Sequence, residues 1–420
     1  MRTLRQTIHV PEIGYSLEKI APLEKILFLD IETTGFTAKS SSLYMIGIAY
    51  WDEEKWYVKQ WFANTYEEEA EIISAFFHFT RNFTHLIHFN GNNFDLPFIL
   101  QKCKQYDLPY QFNNLEGIDI YRRVAPYKSF LRLPNCKQKT LEQFLGIERE
   151  DTYSGGELIS VYHTYVKTPT DYALQALALH NADDLAGMLR ILPLLSYYDL
   201  FNELPRPKKV QANYYHDING DRHQELIMKL TLPSPLPCPL SGTADGCYFK
   251  GEKAEGTLRV PLYEEEMKYF YSNYKNYYYL PDEDTAIHKS VASYVDKKYR
   301  VQATAKNCYT RKLSTYLPQW DILFQPFFQR EMITSHITTF DREDASLQIW
   351  QSVNSQTTAD FGITIPQTSQ AFIQNVELNS NEWLSMILKS LRQTFVLLVG
   401  SVSIITLVVV TSHCFYWRNQ

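Results

Sequence analysis

The sequence predicts an α/β fold for the first two hundred residues, with a mixed sheet flanked by helices, followed by a smaller β-rich region. Strand-like and helix-like stretches alternate through the first half of the chain. Their order is three strands, then helix, strand, helix, strand and further helices, which is typical of a sheet covered by helices. After about residue 204 the composition changes and the strand-like stretches predominate.

The predicted elements of the first half follow from hydrophobic periodicity. The helix from residue 171 to 195 has the clearest pattern, because apolar residues recur at three- and four-residue steps through LQALALHNADDLAGMLRILPLL. The predicted strands are Lys25–Asp30, Tyr44–Trp51, Trp56–Phe62, Leu86–Phe89 and a short one near Ile118–Tyr121. The predicted helices are Tyr66–Phe79, Phe94–Gln105, Thr140–Leu145, Glu157–Val166 and Asp171–Leu195.

The rest of the chain divides by composition. Residues 1–204 are the expected first domain, and the proline-basic run LPRPKK at residues 204–209 indicates a linker. Residues 205–330 are an expected β-rich accessory region, in which Asn219-Gly220 favours a two-residue hairpin turn. Residues 331–393 are rich in Ser, Thr, Gln and Asn and give no clear element, and residues 394–417 form an apolar tail.

Two interpretations of the tail stay open. It has no charged residue from Phe395 to Trp417 and is long enough to cross a bilayer, so it is a candidate membrane anchor. Its many β-branched residues are equally typical of a buried strand. The N-terminal stretch lacks the apolar core of a secretion signal, so we expect the first domain in the cytoplasm.

Composition limits the function only weakly. The net charge of −6 neither indicates nor excludes a nucleic-acid partner, because a nuclease site concentrates acidic groups around metal ions. The 30 tyrosines fit strands and also offer faces on which bases stack. The six cysteines form no CxxC pair, which disfavours a zinc site or a disulfide framework and favours a reducing compartment.

The first candidate motif is ILFLDIETTGF, in which Asp30 and Glu32 end an apolar strand before a turn at Thr33. The strand period of two places both carboxylates on one face. Two carboxylates that converge at a strand end are unfavourable unless a cation neutralises them, and oxygen ligands suit magnesium or manganese. A solvated acidic pair is the alternative, although the apolar run before it favours a site.

The second motif is HFNGNNFDLPFIL, where a strand leads through a turn to Asp95 at the start of a helix. The helix dipole favours a negative charge there, so Asp95 is either a site residue or only a stabiliser of the helix N-terminus. Asn90 and Asn93, with Thr33 of the first motif, are candidate substrate-binding residues. Turn formation alone also explains asparagine at such positions.

The third motif is ALALHNADDLAGM in the long predicted helix. His180 and Asp184 are four residues apart and therefore share a face, whereas Asp183 lies on another. An ordinary surface histidine is the alternative interpretation of His180. Two polar groups aligned in an otherwise apolar helix favour a site.

In order and character, the three motifs resemble the exonuclease motifs of the DEDD nuclease superfamily, which has a ribonuclease-H-like fold. The second is similar to the NxxNFDxPY stretch of family B polymerase proofreading domains, and the third resembles the pattern in which a tyrosine precedes the last aspartate by four residues. Here His180 occupies that tyrosine position. The stretch KTLEQFLGIEREDTYSGGELISVYHTYV resembles bacterial YprB-type ribonuclease-H-like proteins. The resemblance covers about residues 24–195.

The resemblance implies a metal-dependent nuclease, a 3′–5′ exonuclease that hydrolyses phosphodiester bonds of DNA or RNA with two Mg²⁺ or Mn²⁺ ions and no small-molecule cofactor. Asp30 would bridge both ions, Glu32 and Asp184 would complete the first site, and Asp95 would hold the second. His180 would orient or deprotonate the attacking water. The partner would be a single-stranded nucleic-acid end. The alternative is a nucleic-acid-binding module on the same fold that does not cleave.

The tyrosine-rich segment KYFYSNYKNYYYLPDEDTAIHKSVASYVDKKYR also has two interpretations. A packed β domain is the simpler one. A strand-guiding surface would require its tyrosines and basic residues to face one groove. The residues concerned are Tyr274, Lys275, Tyr277, Lys289 and Arg300.

Overall fold

The alternating elements of the first half build one six-stranded sheet with helices on both faces. The computed structural model describes residues 1–10, 13–149, 153, 155–244, 246–319, 327–329, 371–373, 384–389 and 391. These residues fall into two compact units. Unit one comprises Met1–Glu203 and Pro233–Pro239, and unit two comprises Leu204–Leu232 and the described residues from Leu240 on.

The sheet of unit one is mixed. Its order is β1-β4-β3-β2-β5-β6, with β2 antiparallel to β3 and parallel to β5. The strands are β1 (Arg2–Ile8), β2 (Ile26–Thr33), β3 (Leu43–Asp52), β4 (Lys55–Phe62), β5 (His85–His88) and β6 (Glu116–Asp119). The helices are α1 (Glu69–Thr80), α2 (Asp95–Gln105), α3 (Ile120–Val124), α4 (Gln138–Phe144), α5 (Gly155–Lys167), α6 (Asp171–Ile191) and α7 (Leu195–Asn202). The predicted mixed sheet flanked by helices is therefore confirmed.

Strand alternation divides the core between the two faces of this sheet. Leu27, Leu29 and Ile31 of β2 belong to a buried cluster with apolar residues of α1 and α2. Tyr44 and Phe62 belong to a second cluster with residues of α5 and α6. The side chains of β2 that alternate with the first set therefore face α6.

Two differences from the predicted elements have simple causes. Strand β1 was not predicted, because it carries mainly exposed polar side chains and lies at the edge of the sheet, where no apolar alternation is required. The long predicted helix ends at Ile191, and a 3₁₀ turn that contains Pro193 separates α6 from α7. Proline has no N–H to continue an α-helix.

Unit two is β-rich, and the predicted linker is wrong in part, because its basic residues lie in strand β7. Among the strands that the structure describes, that strand is the last of a six-stranded sheet, so Pro207 removes no hydrogen bond between central strands. The remaining strands are β7 (Arg206–His216), β8 (Arg222–Ala244), β9 (Cys247–Phe270), β10 (Tyr277–Leu280), β11 (Thr285–His288), β12 (Val301–Gln302), β13 (Tyr309–Gln319), β14 (Phe327–Gln329) and β15 (Ala371–Ile373), and helix α8 is Lys289–Ala292. All belong to unit two except Pro233–Pro239 of β8, which are counted with unit one.

The predicted hairpin joins β7 to β8, although the connection has five residues rather than two. His216 pairs with Arg222, and Gly220 has a φ of +87°, a conformation that favours glycine. Of the helices that the structure describes, none is long and apolar enough to cross a membrane. The apolar tail at 394–417 lies outside the described residues.

Candidate active site

Strand β2 carries its two acidic residues on the face that meets α6. Asp30 accepts a hydrogen bond of 2.8 Å from Nδ2 of Asn181, which belongs to α6. Oε1 of Glu32 lies 4.0 Å from Nε2 of His180. The strand period predicted that both carboxylates would share a face, and the structure places them so.

Helix α6 brings a histidine and an aspartate to these acids. Nε2 of His180 lies 3.6 Å from Oδ2 of Asp184, one helical turn further on. Glu32, His180 and Asp184 each offer a ligand atom, and these atoms lie within 4.8 Å of one another. His180 is buried and Asp184 is partly exposed. This is the group of side chains in the described part of the chain that could together hold a metal ion.

Asp95 is the first residue of α2 and is buried. Its Oδ1 accepts a hydrogen bond of 3.2 Å from the backbone N–H of Ile31, the residue between the two acids of β2. Strand β5 pairs with β2 only as far as Leu29, so this carboxylate satisfies a backbone donor beyond the paired stretch. Burial raises the pKa of Asp95 to about 7, and the charges of Asp119 and Asp184 add to the effect.

The electrostatics of the site are unfavourable without a cation. Burial raises the pKa of Asp30 well above its ordinary value, and the neighbouring charges of Asp184, Glu32 and Asp95 raise it further. Four carboxylates from three elements therefore act on one another. Carboxylate oxygens with one imidazole suit a divalent cation such as Mn²⁺, and carboxylates alone suit Mg²⁺. The donor set thus fits the metal that the sequence motifs imply.

Tyr44 and Asn181 belong to the site although the sequence motifs did not include them as site residues. The hydroxyl of Tyr44 donates to Oε2 of Glu32 over 3.4 Å. Its ring stacks on Tyr162 of α5, with the centroids 4.2 Å apart. Burial and the charge of Glu32 raise the pKa of Tyr44 well above its ordinary value, so its hydroxyl stays a donor.

Asn181 is held in place from its other side. Nε2 of Gln60 on β4 donates to Oδ1 of Asn181 over 2.9 Å and to the carbonyl oxygen of Ala178 over 2.8 Å. These bonds orient the amide so that its NH₂ group faces Asp30. Gly47, opposite Asp30 on β3, provides the room, because a Cβ atom there would overlap the Asn181 side chain. No sequence pattern identifies Asn181 as a site residue, because its role depends on its packing against Gln60 and Gly47.

A partly buried ion-pair network holds Asp184. Nη1 of Arg149 lies 2.6 Å from Oδ1 of Asp184, and Nη2 lies 2.8 Å from Oε1 of Glu142. Glu142 belongs to α4 and is 1% exposed, so its charge requires this partner. Burial opposes the charge of Arg149, but the two carboxylates raise its pKa above the ordinary value and keep it positive. Gly187 of α6 allows the close approach, since a Cβ there would overlap Glu142.

The predicted substrate-binding residues lie beside the acids, Asn90 and Asn93 in the turn before α2 and Thr33 at the end of β2. Asn90 has a φ of +60°, and its side-chain oxygen accepts from Nδ2 of Asn93 over 2.7 Å. Its backbone N–H donates to Asp119 over 2.9 Å. Thr33 donates from Oγ1 to the carbonyl oxygen of Gly35 over 2.9 Å. All three polar side chains thus take part in turn formation, as the sequence also allowed, and substrate contact stays a prediction.

An exposed aromatic residue stands next to these turns. Phe36 follows Glu32 by four residues and is 92% exposed. Its ring contacts that of Phe94, the residue before Asp95, with the centroids 6.2 Å apart. A phenylalanine exposed to this extent is unusual in a folded protein and offers a face for an apolar or aromatic group.

Comparison with known proteins gives a match for unit one. Residues 27–196 match a family model described as RNase_H_2 of the RNase_H superfamily, and no curated protein matches the chain. A family B DNA polymerase from the archaeon Pyrobaculum calidifontis aligns at 11% identity and a TM-score of 0.33, over 61% of this chain and 35% of the polymerase. E. coli exonuclease I in complex with a 5cy-dA13 oligonucleotide aligns at 14% identity and a TM-score of 0.27, over 49% of this chain and 54% of the exonuclease.

The chain thus spans about a third of the polymerase and about half of exonuclease I. The family match covers strands β2 to β6 and helices α1 to α6, the elements that carry every acid of the site. Residues 27–196 therefore form a ribonuclease-H-like domain.

Proposed function

We propose that unit one is a metal-dependent nuclease that hydrolyses phosphodiester bonds of DNA or RNA. The observation that carries this proposal is the convergence of Asp30, Glu32, Asp95 and Asp184 with His180 at the end of strand β2. Burial and then mutual repulsion raise the pKa of Asp30 and Asp95, a cost to folding that bound cations would offset. The 3′–5′ direction and the YprB-type assignment rest on the motif resemblance.

Each side chain of the site has a role that follows from its position. Divalent ions bound to the four carboxylates would neutralise the phosphate, lower the pKa of the attacking water and stabilise the leaving oxygen. Nε2 of His180 lies between the carboxylates of Glu32 and Asp184, where it can orient that water and accept its proton. Tyr44 and Asn181 hold Glu32 and Asp30 in fixed orientations. Phe36 offers its exposed ring to the terminal base.

The first experiment measures cleavage. Purified protein is incubated with single-stranded DNA and RNA, in separate reactions with Mg²⁺, Mn²⁺ or EDTA. A label at the 5′ end should give a ladder that shortens with time, and a label at the 3′ end should give a mononucleotide at once. Absence of metal-dependent cleavage from every substrate, with binding retained, would instead support the non-cleaving module.

Variants assign the cleavage to this site. Asp30→Asn and Asp184→Asn should lose about a hundred-fold or more in rate, because each removes a charged ligand. Glu24→Gln is the matched control, since it removes one exposed carboxylate just before β2 and should cleave like the wild type. Loss of activity in the control as well, or none in the site variants, would locate the activity elsewhere.

His180 has its own test. If His180 accepts the proton from water, His180→Gln should lower the rate at saturating Mn²⁺, while the affinity for Mn²⁺ changes little. If instead the imidazole is mainly a ligand, the affinity for Mn²⁺ should fall. Isothermal titration calorimetry of the variant with Mn²⁺ separates the two.

A further inference from the structure

Unit two carries a basic aromatic surface that the site in unit one does not use. It is formed by Tyr278 on β10 and by the segment at 289–300, which begins with α8 and ends before β12. Strand β10 is the central strand of a three-stranded sheet, ordered β11-β10-β12. Tyr278 pairs with Ile287 on one side and with Gln302 on the other.

Strand alternation separates the three consecutive tyrosines of β10. Tyr277 and Tyr279 pack against a buried cluster that contains Ala286, Ala303 and Cys308. Tyr278 points to the opposite face. The strand-guiding interpretation required Tyr277 to share a groove with Lys289 and Arg300, and the structure does not place that tyrosine there.

Two cations lie over the ring of Tyr278. The guanidinium carbon of Arg300 is 4.9 Å from the ring centroid, and Nζ of Lys289 is 5.7 Å from it. Arg300 also donates to the carbonyl oxygen of Ala292, so its position is fixed. The ring and the backbone carbonyl thus hold two positive charges together at this face.

The segment KSVASYVDKKYR adds further cations and exposed rings. Lys297 and Lys298 are exposed, so the segment has four basic residues and one acid, Asp296. That acid accepts the backbone N–H of Lys298 over 3.1 Å and caps the turn. Tyr294 is 91% exposed and Tyr299 is 48% exposed. A net positive segment with exposed tyrosines contrasts with the net charge of −6 of the chain.

We propose that this surface binds a single strand of nucleic acid. Lys289, Lys297, Lys298 and Arg300 would contact phosphates, and the exposed ring of Tyr294 would stack on a base. The cations and exposed rings of this surface suit a single strand, which presents both a repeated negative charge and free base faces. The inference that this surface binds the substrate rests on the proposed nuclease function, but binding of nucleic acid to the surface can be measured without cleavage.

Fluorescence anisotropy in EDTA measures that binding, with the full chain and labelled oligodeoxyuridylate or oligouridylate. Tyr294→Ala should weaken binding by about five-fold or more, the loss of one stacked base. Lys297→Gln combined with Lys298→Gln should reduce the magnitude of the slope of log K against log salt by about 1.4, the share of two phosphate contacts on a single strand. The two oligonucleotides distinguish deoxyribose from ribose as the preferred backbone.

Matched controls come from the larger sheet of the same unit. Tyr215→Ala removes an exposed tyrosine of β7, and Lys209→Gln with Lys250→Gln removes two exposed lysines. Equal losses in the surface variants and in these controls, or unchanged affinity in both, would overturn the proposal, as would tighter binding of polyglutamate than of either oligonucleotide. Cleavage in Mn²⁺ tests the proposed function separately, because the anisotropy measurement requires neither metal nor the acids of unit one.

Discussion

Replacing Asp95 by asparagine should stabilise the metal-free protein at alkaline pH. Asparagine keeps an oxygen at the position of Oδ1, so the hydrogen bond from Ile31 is retained while the charge is removed. The pKa of Asp95 rises from an ordinary value of 3.8 to about 7. Between these values the folded chain holds a proton that the unfolded chain has released, so stability falls as the pH rises through this range and stays low above it.

The size of the effect follows from linkage. At about 1.4 kcal/mol for each unit of pKa, the raised pKa of Asp95 costs the folded state of the order of 4 kcal/mol at pH ~8, where the carboxyl is ionised, and about 1 kcal/mol at pH ~4.5, where the folded chain keeps the proton. Asp95→Asn removes this cost. The variant should therefore be more stable than the wild type by about those amounts at the two pH values.

Urea unfolding in EDTA measures the difference at both pH values, with Glu24→Gln as the control for loss of one exposed carboxylate. Addition of Mn²⁺ should reverse the order, because only the wild type keeps the full set of charged ligands and is stabilised by binding. A variant that is no more stable than the wild type at the higher pH, or whose advantage does not shrink at the lower one, would refute the electrostatic account of the site.

Three further substitutions test a close contact in the site, an ion pair of the site and a buried ion pair elsewhere in unit one. Gly47→Ala should destabilise the protein by about 1–3 kcal/mol and reduce cleavage, because the new methyl group displaces Asn181, as thermal unfolding and the cleavage assay would show. Arg149→Met should bind Mn²⁺ more tightly but cleave more slowly, because it removes a cation and an orienting hydrogen bond from Asp184. Weaker Mn²⁺ binding in calorimetry would contradict this. Lys102→Met should cost about 3–5 kcal/mol without changing metal affinity, because it leaves the buried Glu69 without its cation, 3.0 Å away.

Asp30, Glu32 and Asp184 could be proposed from the sequence because each lies on an element with a strong period, whereas Asp95 depended on the resemblance of its motif. An apolar run fixed the face of Asp30 and Glu32, and the helical repeat selected Asp184 over its neighbour Asp183. The residues that hold these acids gave no such signal. Gln60 lies 121 residues from Asn181, and only the tertiary fold brings them together.

The Arg149 network was missed for a different reason. An arginine and a glutamate in a polar stretch are typical of a solvated surface, and their burial depends on the packing of α4 against α6. The same limit applies to the first strand of unit two. Proline and lysine are typical of loops, and only the position at a sheet edge allows them in a strand.

That edge position has a consequence for solubility. An edge strand presents backbone donors and acceptors to which a strand of another chain can add. In β7, Pro207 removes one of the donors, and the two lysines that follow place positive charges where an added strand would lie. The proline and lysines that made this strand resemble a linker in the sequence therefore protect the folded protein against edge-to-edge aggregation.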